Sequence, residues 1–298
     1  MKSQLFLGTS AILGATFCYG FFGIFTRLIG YSLPIYFAYT TRLLLGTLIL
    51  FLLVIITKQW KKLSIKHFSW ISLRSFIGLF SFLLSYTAFY RIPISSAYLI
   101  FYSSSTIAGY CIGKLLYKEQ LNPVKIISLI SACIGLAITY SFSIQPDLIL
   151  FAGAAALSGV CTSLWNTMSK KVAKYPPTQL NFLDFIISFI VVFFISLIAK
   201  EQWVAPQINS LWMSNILFGL LFVISGQLII IGFNRVEAQT GSIIMLSEVI
   251  FGTFFAFVAF QEPIYASTIL GGGCIAVSLI LPYLSFSFSR KKQDYLHN

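Results

Sequence analysis

Apolar stretches of about 20 residues recur along the chain, and short polar segments separate them. A helix of that length crosses the roughly 30 Å hydrocarbon core of a bilayer. Turn-forming segments such as "GYSLP", "RIPIS" and "KYPP" divide the stretches, because proline cannot continue a helix. The pattern predicts ten membrane-spanning helices, at about residues 5–27, 34–57, 70–90, 95–117, 124–143, 148–168, 178–199, 211–233, 240–260 and 267–288.

The composition agrees with an all-α integral membrane protein that has the lipid bilayer as its partner. Of the 298 residues, 58% are hydrophobic and only 9% are charged, whereas a soluble domain carries about 25% charged residues. The net charge of +12 lies in short basic clusters between apolar segments, so no nucleic-acid partner is predicted. The five cysteines fall inside apolar segments without ligand spacing, so neither a metal nor a cofactor is predicted.

The basic residues also predict an orientation. Ten spans place both termini on one side, and that side receives sixteen of the 20 basic residues, among them a cluster from Lys58 to Arg74. The other side receives only Arg27, Arg91 and Lys200. The positive-inside rule therefore predicts a multi-pass protein with both termini in the cytoplasm.

An internal repeat divides the chain into two halves. A shift of 143 residues places Pro34 on Pro177 and Cys18 on Cys161. At a shift of 144, "YRIPISSAYLIFYSSSTIAGY" aligns with "NRVEAQTGSIIMLSEVIFGTF". Five spans per half is an odd number, so the halves have opposite orientation and form an inverted repeat. The predicted domains are residues 1–145 and residues 146–298, the second ending in a short basic tail.

The ninth predicted helix and the residues after it, "NRVEAQTGSIIMLSEVIFGTFFAFVAFQEPI", carry a resemblance to a known family. The stretch resembles the EamA-type branch of the drug/metabolite transporter superfamily, with a small residue, a mid-helix glutamate and a helix-ending glutamate at Gly241, Glu248 and Glu262. "LYKEQL" in the first half is similar and places Glu119 in the helix-ending position. The first half departs from the family at "YSSST", where the family often has proline.

The resemblance covers nearly the whole chain and implies a fold and an activity. It implies ten helices around a central cavity lined by helices 1, 3, 4, 6, 8 and 9, with alternating access by rocking of the halves. It also implies a small-molecule substrate, such as an amino acid, a nucleotide-like metabolite, an amine or a drug, and location in the bacterial inner membrane.

Glu248 is the first candidate for a functional residue. The apolar stretch from Gly241 to Phe260 contains no other charge, and an ionised group at the bilayer centre costs at least about 2.5–3.5 kcal/mol. One interpretation is a carboxylate that faces the cavity and binds a cationic group or exchanges a proton. The other is a protonated glutamate that hydrogen-bonds between helices, and both interpretations stay open.

Aromatic and amide side chains on the predicted cavity helices are the other candidates for substrate binding. Singly, each tyrosine is expected to pack against its neighbours, but as a set these rings could stack on a planar or cationic substrate. The set comprises Tyr19, Tyr86, Tyr98, Tyr102, Trp165, Asn166 and Gln227.

Four further charges are assigned gating or structural roles. Arg42 and Asp184 lie deep in the second and seventh predicted helices, and a charge in hydrocarbon requires a partner. The alternatives are an Arg42–Asp184 pair across the halves or contact of Arg42 with polar neighbours. Glu119 and Glu262 lie between helices, where a carboxylate caps free backbone amides.

The predicted function is a secondary transporter for an amino acid or related small organic metabolite with cationic or aromatic character. A broad-specificity drug exporter is the close alternative. An integral membrane enzyme is a more distant one, because the predicted spans contain no histidine to serve as a base. Coupling to a proton, exchange for a counter-substrate and uncoupled transport are three open alternatives, and no oligomeric state is predicted.

Overall fold

Helices account for nearly all of the ordered secondary structure of the protein. The computed structural model describes residues 2–30, 32–140, 145–261 and 263–296, with the side chains of residues 2, 90 and 283–296 left out of the description. No β-strand occurs among the described residues. The α-helices are α1 (Lys2–Gly20), α2 (Phe22–Ile29), α3 (Ile35–Ile56), α4 (Ile65–Arg91), α5 (Ile94–Tyr117), α6 (Pro123–Thr139), α7 (Ile149–Met168), α8 (Pro177–Ile198), α9 (Ser210–Phe233), α10 (Ala238–Met245), α11 (Ser247–Phe260) and α12 (Ala266–Leu296).

Eight described segments are long and apolar enough to cross a membrane. Among these eight, α1 and α2 together form one segment, and so do α10 and α11. Two further apolar helices are shorter, namely α6 and the part of α12 up to Pro282. The all-helical prediction is therefore confirmed.

Local chemistry explains where several helices begin. Pro34 and Pro93 precede α3 and α5, where a missing amide donor costs nothing and the fixed φ suits the helix. The side chains of Asn122 and Asn209 cap α6 and α9 by accepting hydrogen bonds from backbone amides at 2.8 and 3.0 Å.

Four helices end at residues other than glycine that have left-handed backbone conformation. Lys58, Lys118, Lys200 and Gln261 have φ values of 51°, 55°, 53° and 55°. Lys118 and Gln261 are 143 residues apart, and the separation between Lys58 and Lys200 is one residue shorter. The two halves of the chain therefore end equivalent helices in the same way.

The structure differs from the predicted spans in three places. α4 begins at Ile65 instead of residue 70, which moves Arg74 well inside a helix. α6 ends at Thr139. The first and ninth predicted spans are each interrupted by one non-helical residue, Phe21 and Leu246 respectively.

The chain forms two compact units, and each contains helices from both halves of the sequence. The first unit consists of Met1–Phe80, Trp165–Arg235 and Phe251–Glu262. The second unit consists of Ser81–Leu164, Val236–Ile250 and Pro263–Asn298. Three of the five passages of the chain from one unit to the other lie inside helices, namely α4, α7 and α11.

In the first unit, α1 and α3 of the N-terminal half pack against α9 and α8 of the C-terminal half. Glycines allow close approach: a Cβ at Gly232 would meet Ile12, and a Cβ at Gly46 would meet Phe185. Buried apolar side chains, including Ile71, Leu180 and Ile230, form one core cluster of this unit.

In the second unit, α6 packs against α12 and α5 packs against α10. α4 and α7 are joined by hydroxyl groups, since Ser81 and Ser158 each donate a hydrogen bond to the other's carbonyl oxygen at 2.8 Å. Tyr102, Leu136, Ile243 and Val249 belong to its buried core.

Candidate functional site

The predicted substrate-binding residues divide between the two units. Tyr98, Tyr102, Tyr86 and Glu248 belong to the second unit. Tyr19, Trp165, Asn166 and Gln227 belong to the first unit, together with both Arg42 and Asp184. The polar clusters of each unit are therefore described separately.

Glu248 lies within a cluster of tyrosines in the second unit. The hydroxyl of Tyr102 hydrogen-bonds to the Glu248 carboxyl group. Tyr98 and Tyr140 also interact electrostatically with this carboxyl group. Glu248 is only partly buried although its neighbours Ser247 and Val249 are buried, so part of its surface stays accessible.

The tyrosine rings of this cluster are stacked. The centroids of Tyr98 and Tyr102 are 5.7 Å apart with an interplanar angle of 15°, and those of Tyr98 and Tyr140 are 5.8 Å apart at 27°. Phe89 packs on Tyr98 at 4.8 Å. Tyr140, which directly follows α6, was missed because it falls in the fifth predicted span, which is not among the helices that the resemblance places around the cavity.

The helix that carries Glu248 is interrupted immediately before it. α10 ends at Met245, and α11 begins at Ser247, so Glu248 lies in the first turn of α11. The amides of Leu246 and Val249 bond to carbonyls three residues back instead of four. The first turn of a helix has free backbone amides and a partial positive charge, and both favour a carboxylate at that position. Breaks of this kind accompany ligand sites in transporter helices.

The first unit contains a buried ion pair that the sequence analysis did not predict. Arg74 of α4 binds the carboxylate of Asp184 of α8, and Ser75 donates a hydrogen bond to the same carboxylate at 2.7 Å. Arg74 is 1% exposed, which places it in the interior instead of the basic cytoplasmic cluster to which it was assigned. Its position about nine residues into α4 follows from the early start of that helix at Ile65.

Trp165 and Tyr19 adjoin this ion pair. The Nε of Arg74 donates to the carbonyl oxygen of Trp165 at 2.9 Å, and the guanidinium lies 5.0 Å from the centroid of the Trp165 ring. Gly78 makes room for that ring, since a Cβ there would lie 2.6 Å from it. Tyr19 interacts electrostatically with Arg74. Asp184 and Trp165, both predicted, are thus brought together by an unpredicted arginine.

Of the two alternatives for Arg42, the pair with Asp184 is wrong, because Asp184 is bound by Arg74. The Nε of Arg42 donates instead to the Oδ1 of Asn215 in α9 at 2.7 Å, and its guanidinium lies 4.0 Å from the centroid of the Phe218 ring. The repeat matches Asp184 with Thr41, and one residue around a helix rotates a side chain by about 100°. Arg42 therefore points to α9, although its depth resembles that of Asp184.

Both amide side chains that were predicted as site residues of the first unit keep a polar atom without a hydrogen-bond partner in the described structure. Gln227 donates from Nε2 to Thr178 at 3.1 Å, but its Oε1 has no partner in the described structure. The Oδ1 of Asn166 also lacks a partner there, although Asn166 is 2% exposed. Buried acceptors of this kind are costly, which makes them candidates for ligand contact.

Glu119 caps a helix that is distant in sequence. Its carboxylate accepts hydrogen bonds from the amides of Ala238 and Gln239 at 2.6 and 3.1 Å, at the start of α10. Glu201 does the same for α3 by accepting from Tyr36 and Phe37 at 3.0 and 2.6 Å. The sequence offered no signal for Glu201, because it lies in a polar loop. Glu262 lies outside the described residues.

An apolar groove of about 450 Å³ also occurs in the first unit, between α3, α8 and the loop after α3. It is lined by Phe51, Val54, Ile55, Lys58, Trp60 and Phe182. None of these is a predicted site residue, and the lining suits an acyl chain better than a polar metabolite. Within the described residues, no group of three or more histidine, cysteine or acidic side chains could hold a metal.

Comparison with known proteins identifies the family. A sequence model described as the EamA-like transporter family matches the chain twice, over residues 6–141 and 149–284. A solved structure titled only "Crystal structure of protein" superposes with a TM-score of 0.79 at 17% identity, covering 95% of this chain and 97% of that chain, which shows the fold alone. No curated protein matches the sequence. The two family matches span most of the chain, so this multi-pass membrane protein belongs to the EamA-like transporter family.

Proposed function

We propose that the protein is a secondary transporter that moves a small organic metabolite by alternating access. In this proposal it has ten spans, arranged as two inverted five-helix repeats of residues 1–145 and 146–298 around a central cavity. The eight long apolar segments and two shorter apolar helices support ten spans. The two family matches and the equivalent left-handed helix ends support the repeat.

The Glu248 cluster carries the proposal. A partly accessible carboxyl group beside three tyrosine rings, at a helix break, offers a cationic ligand both a counter-charge and ring faces. The substrate class that fits best is an organic cation or an amino acid or related metabolite with a cationic group. Glu248 is also the natural site for proton exchange, since its hydrogen-bond partner Tyr102 can stabilise either protonation state.

The remaining predicted residues receive secondary roles in this proposal. Trp165, Asn166 and Gln227 of the first unit offer ring or amide contacts to substrate, as do the tyrosines Tyr19 and Tyr86. Asp184, Glu119 and Glu262 serve as structural or gating charges. The protein resides in the inner membrane with both termini in the cytoplasm.

Labelled counterflow in liposomes tests the proposal. Purified protein is reconstituted with each of a panel of amino acids, nucleosides, sulfonium compounds and amines inside, and uptake of a labelled trace of the same compound is measured at two pH values. The matched variants are Glu248→Gln and Asp147→Asn, the second being an exposed carboxylate in the turn before α7. We expect Glu248→Gln to reduce counterflow of the accepted cation at least tenfold and Asp147→Asn to leave it unchanged.

The outcomes separate the alternatives. Counterflow restricted to one chemical class supports a metabolite transporter, whereas comparable counterflow of several unrelated cations indicates a broad-specificity exporter. A dependence of counterflow on pH that disappears in Glu248→Gln indicates proton coupling through this residue. Wild-type counterflow in Glu248→Gln would remove Glu248 from the substrate site, and silence across the whole panel would contradict the transport proposal.

A further inference from the structure

Arg42 presents an unusual electrostatic situation inside the first unit. It is the eighth residue of α3, about 10 Å along the helix from its first residue. The side chain is partly buried. An arginine at such depth is expensive unless a counter-charge or water accompanies it.

The described acidic residues provide no counter-charge for Arg42. Asp184 pairs with Arg74, and Glu237 pairs with Lys125. Glu201, at the start of the same helix, is bonded instead to the amides of Tyr36 and Phe37 and to the hydroxyl of Ser196. Among the described residues of the first unit, the buried Arg74 thus has an acidic partner and the partly buried Arg42 has none.

The neighbours of Arg42 hold its guanidinium in place without neutralising it. Asn215 accepts from Nε at 2.7 Å, and its own amide donates to Thr41 Oγ1 at 2.8 Å, which fixes the amide orientation. The ring of Phe218 supports the guanidinium face at 4.0 Å. These contacts engage Nε and one face, and no hydrogen bond joins the two terminal nitrogens to any described residue.

We propose that Arg42 is an anion-binding site that receives a carboxylate or phosphate group on the terminal nitrogens of its guanidinium. These two nitrogens match the spacing of two oxygens in such a group. Asn215 is the positioning residue, because a neutral amide orients the guanidinium and preserves its charge for the ligand. The bound group belongs either to a small soluble anion or to an anionic phospholipid. The proposal does not depend on what the protein transports.

The central variant is Asn215→Asp, which is nearly isosteric and supplies Arg42 with an internal counter-ion. We expect it to fold, to be at least as thermally stable as the wild type, and to lose anion binding. Arg42→Gln removes the charge itself. Arg27→Gln is the matched control, because Arg27 is an exposed arginine at the end of α2 that also lies over a phenylalanine ring.

Two measurements distinguish the sources of the anion. Delipidated protein in neutral detergent is melted with increasing acetate or inorganic phosphate, and lipid adducts with phosphatidylglycerol or phosphatidylcholine are counted by native mass spectrometry. We expect Asn215→Asp and Arg42→Gln to weaken anion binding at least about tenfold, the loss typical of a charge-assisted contact. Arg27→Gln should behave as the wild type.

The outcomes decide the proposal. Stabilisation by acetate or phosphate that is lost in both variants supports a site for a soluble anion. Selective phosphatidylglycerol adducts that are lost in both variants support a lipid headgroup. Absence of both signals in the wild type, or signals unchanged in a folded Asn215→Asp protein, would overturn the proposal.

Discussion

Three charged residues inside the helices are accommodated by three different local arrangements. Asp184 is neutralised by Arg74 and also accepts from Ser75. Arg42 is held by a neutral amide and a ring. Glu248 shares a hydrogen bond with Tyr102 at a helix break. Among the described residues, only the first arrangement pairs opposite charges, which agrees with the structural role proposed for Asp184 and with the ligand contacts proposed for Glu248 and Arg42.

The buried ion pair leads to the first prediction. Asp184→Asn or Arg74→Gln leaves one charge buried without its partner, which should destabilise the protein by about 3–5 kcal/mol. The measurement is the apparent melting temperature of purified protein in detergent. Asp147→Asn, an exposed carboxylate, serves as control and should melt with the wild type. A melting temperature that is unchanged in both single variants would show that the pair contributes nothing to stability.

The residue scale is also where sequence reasoning was weakest. Depth along a helix could be predicted, so Arg42, Asp184 and Glu248 were recognised as internal charges. The direction of each side chain around its helix could not, which is why Arg42 was considered a partner of Asp184. Arg74 was missed because a charge near a helix end resembles an interfacial charge until the true start of that helix is known.

At the scale of elements, helix pairs meet where small residues allow it. α6 and α12 approach across Gly135 and Gly271: a Cβ on Gly135 would lie 2.7 Å from the Gly271 carbonyl oxygen, and one on Gly271 would lie 2.5 Å from that of Gly135. The hydroxyl of Ser128 donates to the Ser278 carbonyl at 2.6 Å along the same contact. Van der Waals contact and such hydrogen bonds hold helices together in lipid.

Neighbouring glycines of α12 allow a matched test of this contact. Gly271→Ala should separate α6 from α12 and destabilise the protein by about 1–3 kcal/mol, as overpacking does. Gly272→Ala and Gly273→Ala face open space and should be neutral or stabilising by up to about 1 kcal/mol through helix propensity. Melting temperatures of the three variants provide the comparison. Equal destabilisation by all three would mean that the contact at Gly271 is not specific.

The carboxylate caps lead to a prediction of local opening. Glu119→Ala removes the acceptor for two amides of α10 and should cost about 0.5–2 kcal/mol. Hydrogen–deuterium exchange should accelerate at Ala238 and Gln239, and Glu119→Gln should restore part of the protection because its amide oxygen can still accept. Exchange at Tyr36 and Phe37 should not change, since Glu201 protects them. Faster exchange at both helix starts would indicate general destabilisation instead.

At the scale of the whole molecule, hydropathy and proline placement were sufficient to predict an all-helical chain of long apolar segments. Helix length and apolar composition act locally, so they can be seen in one sequence. The grouping into compact units could not be predicted, because it depends on which helices pack together, such as α3 with α8 and α6 with α12. The tyrosine cluster was predicted in part, with Tyr98 and Tyr102 recognised and Tyr140 missed.

The predicted orientation is tested by labelling from outside intact cells. Once Arg74 is recognised as internal, the side predicted to be cytoplasmic still receives fifteen of the 20 basic residues, so the predicted bias persists. In a background without the five native cysteines, a membrane-impermeant maleimide should label Lys200→Cys and not Lys62→Cys, both at exposed positions. The opposite labelling pattern would reverse the topology.

The long-range caps have a consequence for the biosynthesis of the protein. The amides of Tyr36 and Phe37 bond to a carboxylate that is 165 and 164 residues further along the chain, and Arg74 precedes Asp184 by 110 residues. At about 5–20 residues per second, a ribosome needs on the order of 10–30 s to supply the missing Glu201. Asp184 follows Arg74 after about 5–20 s at the same rate, and until then the nascent α4 carries an arginine without this counter-ion. We therefore expect release of α4 from the insertion machinery into lipid to become more favourable once α8 has been synthesised.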